Sequence, residues 1–186
     1  MFKWIKETLG VKPKKQYSQE LMKATALYIQ LVKSSIIESL CVEECLLVPE
    51  TSSSNQKIPL MFALCSYFAA RTDFELEQKF VSPDVREGVW SSIIDMVFED
   101  MGIFGQAESV ARTVILGQMG LVKGAIHHNK ATANNAYTVS TLLQVLSNQK
   151  DSQTVLNISP SRVERLLREY EGYMPHLDAI IAEYYK

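Results

Sequence analysis

Carboxylates are the side chains of this sequence that could carry acid–base chemistry, and one amide is a candidate for binding a ligand. Five carboxylates lie near the ends of predicted helices: Glu43, Asp95, Glu99, Asp100 and Glu108. Carboxylates that converge on one pocket can act as general acid and general base, as hydrolysis requires. The same density of carboxylates also occurs on any solvated helix face, so a hydrolase with helix-borne carboxylates stays an alternative interpretation.

Two polar residues fall inside otherwise apolar helical faces, and they are the predicted ligand-binding residues. Asp100 lies in the apolar arc of a helix predicted over 82–102, and Gln118 lies near the centre of the apolar face of a helix predicted over 106–128. An unpaired buried amide costs about 1–3 kcal/mol, so Gln118 needs a partner. That partner is a neighbouring helix, an ordered water or a ligand. The last case predicts a small-molecule pocket near Asp100 and Gln118.

The cysteines and histidines do not form a recognised metal-binding pattern. The three cysteines, Cys41, Cys45 and Cys65, are an odd and sparse set that indicates free thiols in a reducing compartment. His127 and His128 stand at the predicted C-terminal end of a helix, where positive charge interacts favourably with the helix dipole. We find no nucleophile elbow, phosphate-binding glycine loop or His-Glu-x-x-His motif. The sequence therefore predicts no metal and no cofactor, and it favours a non-enzymatic protein.

Charge and hydropathy narrow the classes of partner and location. Of the 186 residues 47% are hydrophobic and 22% are charged, and the net charge of −2 argues against broad binding to nucleic acid. The segment 151–170 weakly matches a helix-turn-helix, but its arginines are matched by glutamates, so DNA binding there is a second alternative. No apolar run reaches the roughly 20 residues of a spanning helix, and no secretory signal is visible, so we expect a cytoplasmic protein.

Residues 1–15 differ from the rest of the chain in charge, with five lysines and one glutamate. Their apolar side chains fit one side and the edge of a short helix: Phe2, Trp4, Ile5 and Leu9. Such a helix either packs on the chain's own core, or docks a protein partner or an anionic membrane surface. The predicted organisation is therefore a basic amphipathic N-terminal helix and linker, 1–15, followed by a helical domain, 16–186. The four apolar residues are the predicted partner-binding residues.

An apolar period of 3.6 residues predicts an all-α fold, a single-domain bundle of about seven helices without strands. Helices over 82–102 and 106–128 should form a central antiparallel hairpin around a corner at 102–105. Further predicted elements are helices over 18–46, 58–71, 136–147 and 159–172, a last helix from 175, a shorter element over 74–80, and a polar loop over 49–57.

The helix over 106–128 should lie in the middle of this bundle, because apolar residues cover most of its circumference. A strip of small residues runs beside the apolar face: Thr113, Gly117, Gly120 and Gly124. A glycine inside a helix costs about 1 kcal/mol relative to alanine, so three of them predict a compensating close contact with another helix.

These patterns together predict a helical interaction or adaptor protein. Its partner should meet an exposed apolar groove or the N-terminal helix. A protein partner is expected, and the large number of apolar positions also favours a homodimer. An anionic membrane surface is a weaker alternative, and nucleic acid is not expected.

Overall fold

The computed structural model describes residues 18–40, 54–129, 142 and 160–186, and every regular element in this part of the chain is an α-helix. The five helices are α1 (Gln19–Glu38), α2 (Ser54–Gln78), α3 (Pro83–Met101), α4 (Gln106–Asn129) and α5 (Pro160–Tyr184). The predicted all-α class is confirmed. The helix predicted over 1–15 lies outside the described residues, as does all but Leu142 of the helix predicted over 136–147.

α2 is the buried centre of the described fold. From Leu60 onward its apolar residues, apart from the partly buried Phe62, are each 3% exposed or less: Leu60, Met61, Ala63, Leu64, Cys65, Tyr67, Phe68, Ala69, Ala70, Phe74 and Leu76. α2 contacts α1, α3 and α4, and its contacts with α4 are the most extensive. A helix that is apolar around its circumference must be covered on every side. The central element is therefore α2 and not the helix predicted over 106–128.

The helices on either side of the 102–105 corner begin and end as predicted, but they do not form a central hairpin. Ser82 is the extended N-cap of α3, and Gly102 ends α3 in the left-handed conformation at φ 66°. After the corner, α4 packs mainly against α2, and its contact with α3 is slight. The reason is that α4 presents one buried row, which includes Ala111, Ile115 and Val122, and α2 takes it up.

Two helices continue through prolines where the sequence predicts boundaries. α2 begins at Ser54, inside the loop predicted over 49–57, contains Pro59 and absorbs the short element predicted over 74–80. α5 runs through Gly172 and Pro175 without a break. One face of α5 stays buried across both positions: Leu166, Tyr170, Leu177 and Ile180. Burial of that continuous face outweighs the one backbone hydrogen bond that a proline cannot donate.

The helix ends follow local chemistry. The Ser18 hydroxyl accepts a 3.0 Å hydrogen bond from the Leu21 N–H and thereby caps the N-terminal end of α1. At the end of α2, Phe80 adopts the left-handed conformation at φ 58°, and the Val81 N–H donates back to the Leu76 carbonyl at 3.1 Å. This is the hydrogen-bond pattern that usually places glycine at the position of Phe80.

Candidate functional site

A cluster of four charged side chains joins α2, α3 and α4. Asp73 and Glu77 project from α2 on the same side of the helix, where residues four apart are neighbours. Arg86 of α3 lies 2.8 Å from Glu77 through Nη1 and 3.4 Å from Asp73 through Nε. Lys123 of α4 pairs with Asp73 and lies 3.0 Å from the other oxygen of Glu77. Each carboxylate therefore faces both cations.

The hydrogen bonds of this cluster favour the charged states of Glu77 and Lys123. Hydrogen bonds from Arg86 and Lys123 lower the pKa of Glu77 from 4.5 to about 2. Desolvation opposes the charge on Lys123, but its hydrogen bonds to Asp73 and Glu77 prevail and raise its pKa. A carboxylate held ionised in this way is a poor general acid or base near neutral pH. We therefore interpret the cluster as a structural joint between three helices.

Arg112 is the second cation of α4 that is neutralised from within the bundle. Its guanidinium pairs with Asp95 of α3 and lies 3.1 Å from Glu108, one turn earlier on α4. Its central carbon also lies 5.7 Å from the centre of the Phe98 ring. Hydrogen bonds to Asp95 and Glu108 raise the pKa of Arg112 despite its desolvation.

These ion pairs leave an uncharged outer side on α4. Val110 is 61% exposed, Val114 41% and Leu121 64%. The three glycines on the same side of the helix are also exposed: Gly117, Gly120 and Gly124. We define the α4 surface by its exposed members: Val110, Thr113, Val114, Gly117, Gly120, Leu121 and Gly124. At 100° per residue all seven fall within one side of the helix. Nothing on this side carries a charge, which is unusual for a solvent-facing helix.

The predicted close contact at the glycine strip is wrong for the described residues. A methyl group at Gly117, Gly120 or Gly124 would have no neighbouring atom within 4 Å in the part of the chain that the structure describes. The buried row of α4 lies on the opposite side of the helix. Among the residues that the structure describes, none packs against the three glycines.

The two predicted ligand-binding residues contact different helices. The Ser66 hydroxyl of α2 donates a 2.8 Å hydrogen bond to Gln118 Oε1. Asp100, at the end of α3, lies 2.9 Å from the ammonium of Lys33 on α1. Both side chains thus have partners on neighbouring helices, and no residue is common to the two contacts. That they bind a ligand stays a prediction.

The other chemistry-bearing residues are placed as follows. Cys65 is a buried free thiol on α2, and burial raises its pKa, whereas Cys41 and Cys45 lie outside the described residues. The rings of His127 and Phe74 are nearly perpendicular, and their centres lie 4.8 Å apart. No group of three or more potential metal-ligating side chains occurs among the described residues. The carboxylate Glu43 also lies outside them, and Glu99 is exposed.

Two predicted binding segments lie wholly or partly outside the described residues. The predicted partner-binding residues all lie outside the described part of the chain: Phe2, Trp4, Ile5 and Leu9. Of the helix-turn-helix candidate, the structure describes only side chains from Glu164 onward. There Arg165 lies 2.9 Å from Glu169, and Arg168 donates to the Glu164 carbonyl at 3.4 Å. These arginines interact with their own helix, which is consistent with the weak basic character seen in the sequence.

The exposed side of α4 was not expected from the sequence, although one signal for it was present. Val110, Val114 and Leu121 each directly precede a member of the buried row in the sequence, and so lie about 100° away from it around the helix. The apolar arc of α4 is therefore wider than one partner helix can cover. The sequence prediction assigned the whole arc to the core.

No described helix combines the length and the hydropathy that crossing a membrane requires. Comparisons with known proteins give no match: no protein-family model, no curated protein and no solved structure is significantly similar to this chain.

Proposed function

We propose that this chain is a non-enzymatic helical interaction protein that binds an apolar helical segment of a partner on the α4 surface. The observation that carries the proposal is that the outer side of α4 is apolar, in addition to its buried row. Its cations, Arg112 and Lys123, are paired with carboxylates of the bundle, while Val110, Val114 and Leu121 face solvent. A solvent-facing helix ordinarily shows the opposite arrangement.

The energetics support a surface that is covered when the protein functions. Burying a Val or Leu side chain completely is worth about 1.5–3 kcal/mol, so covering three half-exposed ones is worth roughly 3 kcal/mol. The three helical glycines cost about 1 kcal/mol each relative to alanine in the isolated chain. A partner helix that approaches the backbone closely at the glycines would offset that cost through contacts that larger side chains would prevent.

The sequence supports a second docking element in residues 1–15, with Phe2, Trp4, Ile5 and Leu9 as its contacts. That part of the proposal rests on the amphipathic pattern alone, because these residues lie outside the described ones. The cysteine content supports placing the function in the cytoplasm.

Site-specific photocrosslinking tests the proposal. A photoreactive amino acid replaces Leu121 on the α4 surface, and in a matched control it replaces Leu27, which is 50% exposed on α1. After irradiation in the native host cells, mass spectrometry identifies the crosslinked species. We expect one defined intermolecular product from position 121 and none from position 27. Equal labelling from both positions, no intermolecular product, or a product within the chain would each overturn the proposal.

A further inference from the structure

We infer that the partner bound on the α4 surface is a second copy of this chain, with the two α4 helices packed antiparallel about a two-fold axis at Gly117. The inference rests on the proposed function and specifies its partner. It follows from three properties of the surface: the order of its residues, its lack of charge and its small size.

The order of residues makes the α4 surface complementary to itself. In an antiparallel pair centred on Gly117, positions equally far before and after Gly117 lie at the same height, and the two-fold axis keeps each residue on its own edge of the contact. Val110 of one copy then faces Gly124 of the other, because both lie near the Gly117 direction, whereas Val114 lies beside Leu121 of the other copy on the same edge. Val110 therefore projects where the opposite helix has no side chain, as a knob enters a hole between packed helices.

The remaining members obey the same register. Thr113 of one copy lies beside Gly120 of the other on the second edge, and Gly117 faces its own equivalent on the axis. Space for this approach is available, because a methyl group at any of the three glycines would have no neighbour within 4 Å among the described residues. The backbones can thus come close where the axis passes.

The lack of charge favours a second copy over a partner of another kind. A two-fold axis brings each group near its own equivalent, so a charged side chain close to the axis would face its like. Arg112 and Lys123 avoid this because carboxylates of α2, α3 and α4 hold them on the inner side. Antiparallel helices also set opposite dipole ends beside each other.

The size of the surface predicts a weak dimer. Val110 and Gly124 are separated by about 21 Å along the helix at roughly 1.5 Å per residue. A contact of this length and one helix width lies below the approximately 1,200–2,000 Å² of a standard interface. We therefore expect a dissociation constant on the order of tens of micromolar.

Sedimentation equilibrium tests the association on the full chain. The wild-type mass should rise from monomer toward dimer between low and high micromolar concentration. Gly117→Leu should raise the dissociation constant at least about tenfold, while thermal unfolding at low concentration shows a fold at least as stable as wild type, because leucine is the better helix former. The matched control is Gly172→Leu at an exposed helical glycine of α5, which should leave the association unchanged.

Cysteine crosslinking tests the register. Val110→Cys chains are mixed with Gly124→Cys chains, oxidised mildly and mapped by mass spectrometry, with the wild type as background for the native thiols. We expect disulfides between positions 110 and 124 of different chains. Disulfides only between two copies of position 110 would show a parallel pair and overturn the proposed axis.

The outcomes separate this inference from the proposed function. A wild-type chain that stays monomeric up to high micromolar concentration overturns the second copy as partner. If position 121 nevertheless crosslinks to a different protein, the interaction function stands without the homodimer. If it crosslinks to no other chain, both proposals fail.

Discussion

Glu77 offers the sharpest test of the ionic cluster, because its pKa is lowered from 4.5 to about 2 by Arg86 and Lys123. We expect Glu77→Gln to destabilise the protein at pH 7. Glutamine keeps the shape of the side chain and removes the charge that both cations face. The two cations then share a single remaining carboxylate, that of Asp73.

The magnitude follows from the pKa difference and the exposure of the group. A difference of one pKa unit corresponds to about 1.4 kcal/mol, so the full difference would set an upper limit of roughly 3 kcal/mol. The Glu77 side chain is 38% exposed, and water screens such a group. We therefore expect a loss of about 1 kcal/mol in the free energy of unfolding, which lowers Tm by approximately 2–4 °C for a chain of this size.

The pH dependence fixes the sign of the effect. A carboxyl whose pKa is lowered by folding stabilises the protein above its unfolded pKa of 4.5, and the contribution is lost as pH falls toward its folded pKa of about 2. The difference in unfolding free energy between wild type and Glu77→Gln should thus be constant above pH 6. More than half of it should be lost by pH 3.

Urea unfolding followed by circular dichroism, at several pH values, measures this difference. Glu87→Gln is the control, since Glu87 is an exposed carboxylate of α3 with no ion pair among the described residues. It should unfold like wild type throughout. An equal stability loss for Glu77→Gln at pH 7 and pH 3, or no loss at pH 7, would show that the cluster does not stabilise the fold through charge.

Three further predictions concern single buried or strained groups. Tyr28→Phe removes the 2.7 Å hydrogen bond between the buried Tyr28 and Thr72 hydroxyls, and urea unfolding should show a loss of about 1 kcal/mol; an unchanged midpoint would contradict that hydrogen bond's contribution. The Cys65 thiol, buried and with a raised pKa, should resist alkylation in the native protein and react once urea unfolds it, as peptide mass spectrometry will show. Phe80→Gly should raise the unfolding free energy by about 0.5–1 kcal/mol, because Phe80 is 89% exposed and left-handed. A decrease there would mean that its ring stabilises the fold.

The sequence allowed prediction of those features that depend on neighbouring residues. Ser18 caps α1, Ser82 and Pro83 begin α3, and Gly102 ends it, each through interactions within a few positions of the chain. The all-α class followed from the apolar period in the same way. At Pro175 the local rule failed because burial of a continuous face of α5 outweighed it.

The candidate site could not be predicted, because it depends on residues far apart in the sequence. Which side of α4 faces the bundle depends on distant contacts: its buried row packs on α2, and Lys123 pairs with Asp73 fifty positions earlier on that helix. The sequence shows a wide apolar arc on α4 but not the rotation of the helix. The prediction therefore placed α4 at the centre and treated its glycines as buried.

The two inward cations of α4 reinforce the rotation of the helix that its buried row sets. Arg112 and Lys123 are separated by about three full helical turns, so they lie almost on one line along the helix. Both are held by carboxylates of the surrounding helices. Turning α4 to bury Val110 and Leu121 would carry both cations away from their partners and into solvent or apolar surroundings. The ion pairs of Arg112 and Lys123 therefore oppose a rotation that would bury Val110 and Leu121, and these two side chains stay exposed on the outer side of α4.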